Sequence, residues 1–123
     1  MSHIARIELE VTDLEALSKA CRHLGLNLVQ GQKSFKWYNG QAACDHVIKV
    51  PGADYEIGLV SKEGKYDLQA DFWDKGIAAV IGKAGGLLKQ RYALERTKAE
   101  AARKGYRIIE KQTKTGIRLH VRI

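Results

Sequence analysis

Two cysteine–histidine pairs are the residues of this chain that first suggest chemistry. Cys21 and His23 lie two positions apart, as do Cys44 and His46, and thiolates and imidazoles are the usual protein ligands of zinc. Residues two apart on a helix point roughly 200° away from each other, so Cys21 and His23 cannot readily share one ion. Cys44 and His46 can share a strand face, but two ligands do not complete a site. We therefore predict no metal site.

A glycine-rich stretch before a long helix raises the question of a phosphate loop. The Walker pattern would need glycine at Ile77 and serine or threonine at Ala84, next to Gly82-Lys83, and neither is present. A general anion site at the start of the following helix remains open, because free backbone N–H groups favour phosphate there. The alternative is a flexible connector, and we predict no cofactor.

Carboxylates on one predicted strand are the third candidate for chemistry. Asp67 and Asp71 share a face, but four residues along a strand separate them by roughly 13 Å, too far to hold one metal or to flank one bond. A solvated or salt-bridged face is the simpler interpretation. No Gly-x-Ser-x-Gly nucleophile motif occurs. An enzyme with a site near Asp71 and Arg91 is retained as the third of three hypotheses.

The distribution of charge gives the clearest indication of a partner. Residues 83–123 carry twelve Lys and Arg against three Glu, a net charge of +9, whereas residues 1–82 have a net charge of −2. Charge concentrated in one region attracts polyanions more than the same charge spread evenly. Arg91–Glu95 and Glu100–Lys104 stand at i, i+4 and are expected to form ordinary surface pairs. The predicted partner-binding set consists of the cations left over on the helix and of those at alternate positions of the hairpin: Lys89, Arg96, Lys98 and Arg103, then Arg107, Lys111, Arg118 and Arg122.

Three functions fit this set. The first is a non-enzymatic accessory protein that contacts an acidic protein partner, or associates with itself, through its basic C-terminal helix and hairpin. The second is a nucleic-acid-binding module that uses the same surface, although no known nucleic-acid-binding signature is present. The enzyme is the third. Tyr92 and Tyr106 are predicted to lie in the core rather than to stack on bases.

The elements that would position these residues begin with a strand and a helix. Residues 3–11 alternate between apolar and charged, as in a half-buried strand. Thr12 and Glu15 then have the spacing of a capping box at the start of a helix, with Thr12 as the N-cap, and Gly25 is expected to end that helix. The opening is therefore β-α.

Five strands, a long helix and a hairpin should follow. The candidate strands are 26–30, 33–38, 43–50, 55–61 and 66–73, with turns such as Asn39-Gly40 between them. A helix over 87–104, with an apolar stripe through Leu88, Tyr92, Ala99 and Ala102, precedes two strands over 106–113 and 117–123. The order β-α-β-β-β-β-β-α-β-β predicts one α+β domain, residues 1–123. Its mainly antiparallel sheet should have about six to seven strands, with two main helices on one face.

The length and composition are typical of a soluble domain. No apolar run is long enough to span a bilayer, so we expect no membrane partner. Two cysteines make no disulfide framework, which indicates a reducing compartment: the cytoplasm, or the plastid stroma if the chain is plastid-encoded.

Several segments together resemble one family. They are Tyr55–Leu59, Tyr66–Trp73, Gln90-Arg91-Tyr92-Ala93, Lys104-Gly105-Tyr106 and Gly116–Leu119, together with the opening Met1-Ser2-His3 and Thr12–Leu17. This combination is similar to the domain-of-unknown-function 1257 family, the hypothetical chloroplast reading frame 35-like proteins. The resemblance covers nearly the whole chain and departs from the family pattern at residues 33–43 and 74–86.

The resemblance implies little about activity, because the family has no established reaction or catalytic residues to transfer. It marks Asp71, Trp73, Gln90, Arg91 and Tyr92 as family-motif residues. It also implies an accessory role, since relatives are associated with AAA-type ATPases, but such an association is not a mechanism.

Overall fold

The computed structural model describes residues 4–71, 75–82, 85–114 and 116–122. Trp73 and Lys83 lie outside these ranges. Three helices are present in the described chain: α1 (Leu14–His23), α2 (Lys75–Ile81) and α3 (Gly86–Arg103). The strands are β1 (Ala5–Val11), β2 (Asn27–Gln30), β3 (Ser34–Trp37), β4 (Gly40–Ala43), β5 (His46–Lys49), β6 (Ile57–Lys62), β7 (Lys65–Ala70), β8 (Arg107–Thr113) and β9 (Gly116–Arg122).

Five of these strands form the main antiparallel sheet, in the order β1-β7-β6-β5-β2. Glu63 and Gly64 join β6 to β7, both with positive φ, at 52° and 79°. Two central residues with positive φ make the tight turn whose twist matches paired strands. The predicted α+β class and antiparallel sheet are confirmed. The remaining described strands do not join the main sheet but form two separate hairpins, β3–β4 and β8–β9.

The three helices cover one face of the main sheet. Ile48, Ile57, Leu59 and Leu68 are buried from the sheet side, together with Leu17 of α1. From α2 and α3 the buried side chains are those of Ile77, Ile81, Leu88 and Tyr92. Of the stripe predicted for α3, Leu88 and Tyr92 are buried, Ala99 is half-buried and Ala102 is exposed. The prediction of a core position for Ala102 was therefore wrong.

The start of α1 corrects the predicted capping box. Asp13, not Thr12, is the N-cap, and its carboxylate accepts a hydrogen bond from the N–H of Ala16 at 3.0 Å. Glu15 points to solvent and lies 3.8 Å from Lys19. Asp and Thr both cap well, so the neighbouring side chain with the better geometry takes the role. Gly25, with φ of 77°, follows the helix as predicted.

The hairpin β3–β4 packs on the opposite face of the main sheet. Phe35 is fully buried there with Cys44 and Val47. Its ring lies directly over Gly58 of β6, where an added Cβ would stand 2.2 Å from the ring carbon Cδ1. The N–H of Glu56 also donates to the carbonyl of Lys36 at 2.9 Å. The absence of a side chain at Gly58 is what lets this hairpin approach the sheet.

Helix α3 packs against α1, against α2 and against β8 of the C-terminal hairpin. Among the side chains whose burial the structure describes, none of the hairpin belongs to either buried cluster, whereas α3 supplies several. No helix in the described ranges is long and apolar enough to cross a bilayer.

A cationic hairpin as the candidate functional site

A charged cluster fastens the C-terminal hairpin to α3. The guanidinium group of Arg91 donates two parallel hydrogen bonds to the carboxylate of Glu110 in β8, each of 2.9 Å. Its Nη2 also lies 3.6 Å from Glu95 one turn along the helix. The Arg91 side chain is only 6% exposed. Paired bonds from one guanidinium to one carboxylate fix orientation as well as distance, so the hairpin is held in a defined pose.

Lys98 completes the cluster. Its ammonium group contacts the Glu110 carboxylate and lies 3.7 Å from Glu95. Hydrogen bonds from Arg91, and then from Lys98, lower the pKa of Glu110 from 4.5 to about 2. Arg91–Glu95 was predicted as a surface pair, and that prediction was wrong, because both side chains are at least nine-tenths buried. Among described atoms, Arg91 Nε and Glu95 Oε2 are buried without a hydrogen-bond partner.

The register of the hairpin places its other charges on the opposite face. Arg107 stands directly opposite Arg122, and Lys111 directly opposite Arg118. Residues paired across two strands share one face, so all four cations lie on the same side of the hairpin. Glu110 is at an odd offset from Arg107 and Lys111 and therefore faces α3. We call the side of the four cations the cationic face.

Between the two charged pairs, His120 stands opposite the half-buried Ile109. All four cations and His120 are exposed. Within the described ranges no carboxylate lies within 4 Å of the four cations. Like charges placed directly opposite each other across strands are destabilising. The cationic face is thus a concentration of positive charge that the described part of the fold does not neutralise.

The predicted cations of α3 behave differently. Lys98 belongs to the charged cluster, Arg96 donates to the hydroxyl of Thr12 at 2.6 Å, and Arg103 lies 3.3 Å from Glu100. Glu100 was expected to pair with Lys104, and the structure pairs it with Arg103 instead. Lys89 is half-buried. The structure therefore brings the four hairpin cations together and gives three of the four helix cations partners within the chain.

The family-motif residues on α3 contact other elements of the fold. The hydroxyl of Tyr92 accepts hydrogen bonds from the backbone N–H groups of Thr12 and Asp13, at 3.1 and 3.2 Å. Arg91 holds the hairpin, and the exposed Gln90 lies beside Gly116 at the tip of the hairpin. Adjacent motif residues thus connect α3 to the β1–α1 junction and to the C-terminal strands.

The other motif residues lie elsewhere. Asp71 follows β7 and is fully buried, so the prediction of a solvated face is wrong for this residue. Asp67, on β7 itself, forms a salt bridge with Arg6 at 3.0 Å. Trp73 is outside the described residues. Tyr106, predicted to lie in the core, is 38% exposed, because it comes before the strand that α3 covers.

The cysteines and His46 are engaged in packing. Burial raises the pKa of Cys21 to about 12, and burial is also the main cause that raises the pKa of Cys44. His46 accepts the N–H of Gly31 through Nδ1 at 2.9 Å, and its Nε2 lies 3.3 Å from the hydroxyl of Tyr66. No group of three or more His, Cys, Asp or Glu suited to a metal ion occurs in the described ranges.

An open cleft of about 420 Å³ lies beside β3–β4 and is lined by Lys36, Lys49, Glu56 and their neighbours. Within it, Glu56 Oε1 accepts the N–H of Lys36 at 2.9 Å and lies 3.4 Å from Gln32 Nε2. The Glu56 carboxylate thus helps to attach the β3–β4 hairpin. It gives the cleft no group of obvious catalytic use.

Sequence reasoning missed Glu110, although a signal was available. It is the one carboxylate among the cations of the last two strands, and its offset places it on the other face. Arg91, Glu95 and Lys98 lie at i, i+4 and i+7, which is one face of a helix. Together these spacings could have predicted the charged cluster.

Comparison with known proteins gives a consistent result. The model of the family described as "Protein of unknown function (DUF1257)" matches residues 20–120. The chain is also similar to the uncharacterized protein ycf35 of Cyanophora paradoxa, with 27% identity over 114 residues that cover 91% of this chain and 88% of that protein. No solved structure matches the chain.

Proposed function

We propose that this chain, which belongs to the DUF1257 family as its sequence motifs predicted, is a non-enzymatic accessory protein whose cationic face binds an acidic protein partner. One observation carries the proposal. The pairs Arg107–Arg122 and Lys111–Arg118 are like-charged, exposed and directly opposite each other, on a face without a described carboxylate.

An acidic partner would supply the negative charge that the described residues do not place beside the cationic face. Like-charged pairs across strands destabilise an isolated hairpin, and the approach of carboxylates converts that repulsion into attraction. Arginine supplies three of the four cations, and its planar fork binds carboxylates with two parallel hydrogen bonds. Arg91 and Glu110 form such a pair within this same chain.

Several groups that could serve in catalysis are already used by the fold, and this supports a binding role over an enzyme. Arg91 is held by Glu110 and Glu95, and His46 accepts the N–H of Gly31. A site built on Arg91 would have to break the bidentate pair that holds the hairpin in place.

A nucleic-acid partner is the second candidate, and the shape of the hairpin is the observation that favours it. A two-stranded ribbon fits the major groove of duplex DNA. Arg118 and Arg122 are four residues apart on β9, a spacing of roughly 13 Å. Against it, the cationic face carries no Phe, Tyr or Trp on which a base could stack.

Replacing the four cations of the cationic face by glutamine tests the proposal. We expect this variant to lose proteins that the wild-type chain captures from an extract of its natural source. The matched control replaces four exposed cations elsewhere by glutamine, with the same change in net charge: Arg22, Lys49, Lys62 and Lys75. Mass spectrometry identifies the captured proteins, and an AAA-type ATPase would fit the family resemblance.

Two outcomes would overturn the proposal. The first is equal capture by the variant and the wild type. The second is capture that nuclease treatment abolishes, joined to steeply salt-dependent binding of purified DNA or RNA, which would establish the nucleic-acid function instead. Light scattering of the purified chain tests self-association, the other partner considered above.

A further inference from the structure

The outer edge of β9 is open to another strand. In the residues that the structure describes, β9 pairs only with β8, from Arg122↔Arg107 to Gly116↔Thr113. Helix α3 packs chiefly against β8, which makes β9 the outer strand of the hairpin. A strand at the edge of a sheet presents backbone N–H and C=O groups that can pair with a further chain.

The side chains along this edge are cationic at a strand repeat. Arg118, His120 and Arg122 alternate along β9 on the cationic face, and all three are exposed. The two arginines are four residues apart, which is roughly 13 Å along an extended chain. A partner that pairs with the backbone of β9 therefore meets two fixed positive charges at a known spacing.

Strand geometry sets the positions of the partner's charges. Side chains directly opposite each other on paired strands have Cβ atoms about 5 Å apart and share one face. Residues i and i+4 of an added strand would face Arg122 and Arg118, with residue i+2 opposite His120. Residues at odd offsets would point to the other face.

We propose that the partner segment is an extended acidic peptide that adds to β9 as a third strand and places carboxylates at i and i+4 against Arg118 and Arg122. This inference rests on the proposed function and specifies the conformation and spacing of the partner. Backbone pairing supplies affinity in this mode of recognition, and the alternate side chains supply specificity.

Charge complementarity selects this occupant over a second copy of the chain. Antiparallel pairing of β9 with the same strand of another copy, centred on His120, would place each arginine beside an arginine. Like charges directly opposite each other are unfavourable. An acidic strand neutralises the same two positions.

Two short peptides of identical composition test the spacing. The first is acetyl-Thr-Glu-Thr-Val-Thr-Glu-Thr-amide, with glutamates at i and i+4, and the second is acetyl-Thr-Glu-Thr-Val-Glu-Thr-Thr-amide, with glutamates at i and i+3. In a strand the second peptide points its glutamates to opposite faces, whereas on a helix either spacing serves equally well. We expect the first to bind about fivefold more tightly, as the loss of one exposed ion pair predicts.

Methylation of the peptide backbone tests the pairing itself. Two versions of the first peptide carry N-methyl groups at alternate residues, in opposite phases. One phase removes the N–H groups that would face β9, and the other removes only those that face away. We expect one version to bind at least about tenfold more weakly and the other to bind as the parent peptide does. Amide chemical shifts in NMR titrations measure both the affinities and the strand contacted.

The outcomes separate this inference from the proposed function. If the two isomers bind equally, or if the two methylated versions do, the partner does not add to β9 as a strand. The proposal of an acidic partner would still stand. If neither isomer binds and single-stranded DNA does, both proposals are overturned. Shift changes confined to β9 and lost in the Arg118→Gln, Arg122→Gln double variant support the inference, and unchanged binding by that variant refutes it.

Discussion

The two hairpins outside the main sheet are attached in different ways. The β3–β4 hairpin buries Phe35 completely over Gly58. No hairpin side chain whose burial the structure describes belongs to the buried clusters, and the hairpin is held to α3 by the charges of Arg91, Lys98 and Glu110. Attachment by apolar packing fixes a hairpin as part of the core. Attachment through a charged cluster on one face leaves the opposite, cationic face to serve another purpose.

Removing Arg91 should have the largest effect on stability. Arg91→Met leaves Glu95 buried without its guanidinium and releases Glu110, and breaking a buried charged group of this kind costs about 3 kcal/mol. Urea unfolding measures the loss, and hydrogen exchange should show that the amides of β8 and β9 lose protection first. Arg118→Met is the control, with an expected change within about 0.5 kcal/mol. A loss below about 1 kcal/mol for Arg91→Met would show that the cluster does not hold the hairpin.

The apolar attachment can be broken at Gly58. A methyl group there would stand 2.2 Å from the Phe35 ring, so Gly58→Ala must displace the ring, at a cost of about 2 kcal/mol. Gly86→Ala is the control, because nothing beyond its chain neighbours and the backbone of its own helix lies within 4 Å of the added Cβ. Thermal unfolding of both variants provides the comparison. Equal stability of the two would contradict the close approach of the hairpin to the sheet.

Acid should loosen the C-terminal hairpin before the other one. The pKa of Glu110 is about 2 in the folded chain, below its ordinary value of 4.5. The unfolded chain therefore binds the proton more readily, so this stabilisation is complete above pH 4.5 and is lost as the pH falls towards 2. NMR spectra over this range should show the signals of β8 and β9 shifting before those of β3 and β4. Glu110→Gln should remove that step, and simultaneous loss of both hairpins would contradict the comparison.

The smallest expected effect concerns the cationic face. Arg118→Gln with Arg122→Gln removes two charges that face other cations, so stability should rise by a few tenths of a kcal/mol at low salt. The gain should disappear at 1 M salt, where charges are screened within about 3 Å. Urea unfolding at both salt concentrations measures it. A clear loss of stability would mean that these arginines serve the fold rather than a partner.

Much of the local structure could be predicted because it follows from the order of neighbouring residues. Alternating residues predicted both β8 and β9, and Gly25 marked the end of α1. The grouping of the strands could not be predicted in this way. Ala5 pairs with Ala70 across the main sheet, and no local pattern selects that partner over another strand.

The attachment of each hairpin could not be predicted from local sequence patterns, for a related reason. Gly58 has no positive φ and no turn position to mark it, and its importance appears only when the Phe35 ring is placed above it. The cationic face was predicted as a row of alternating cations. Its opposed pairs follow from the register, which the turn between β8 and β9 fixes.

The hydroxyl of Tyr92 has a consequence for the timing of folding during synthesis. The first turn of α1 lies about 80 positions before the side chain that accepts the N–H groups of Thr12 and Asp13. Strand β1 likewise pairs with β7, which follows it by about sixty residues and is therefore synthesised later. The earliest residues of the described chain are therefore among the last to complete their contacts. Contacts this distant in sequence slow folding. A nascent chain that ends before α3 contains β1 and α1 but lacks the Tyr92 hydroxyl that binds the junction between them.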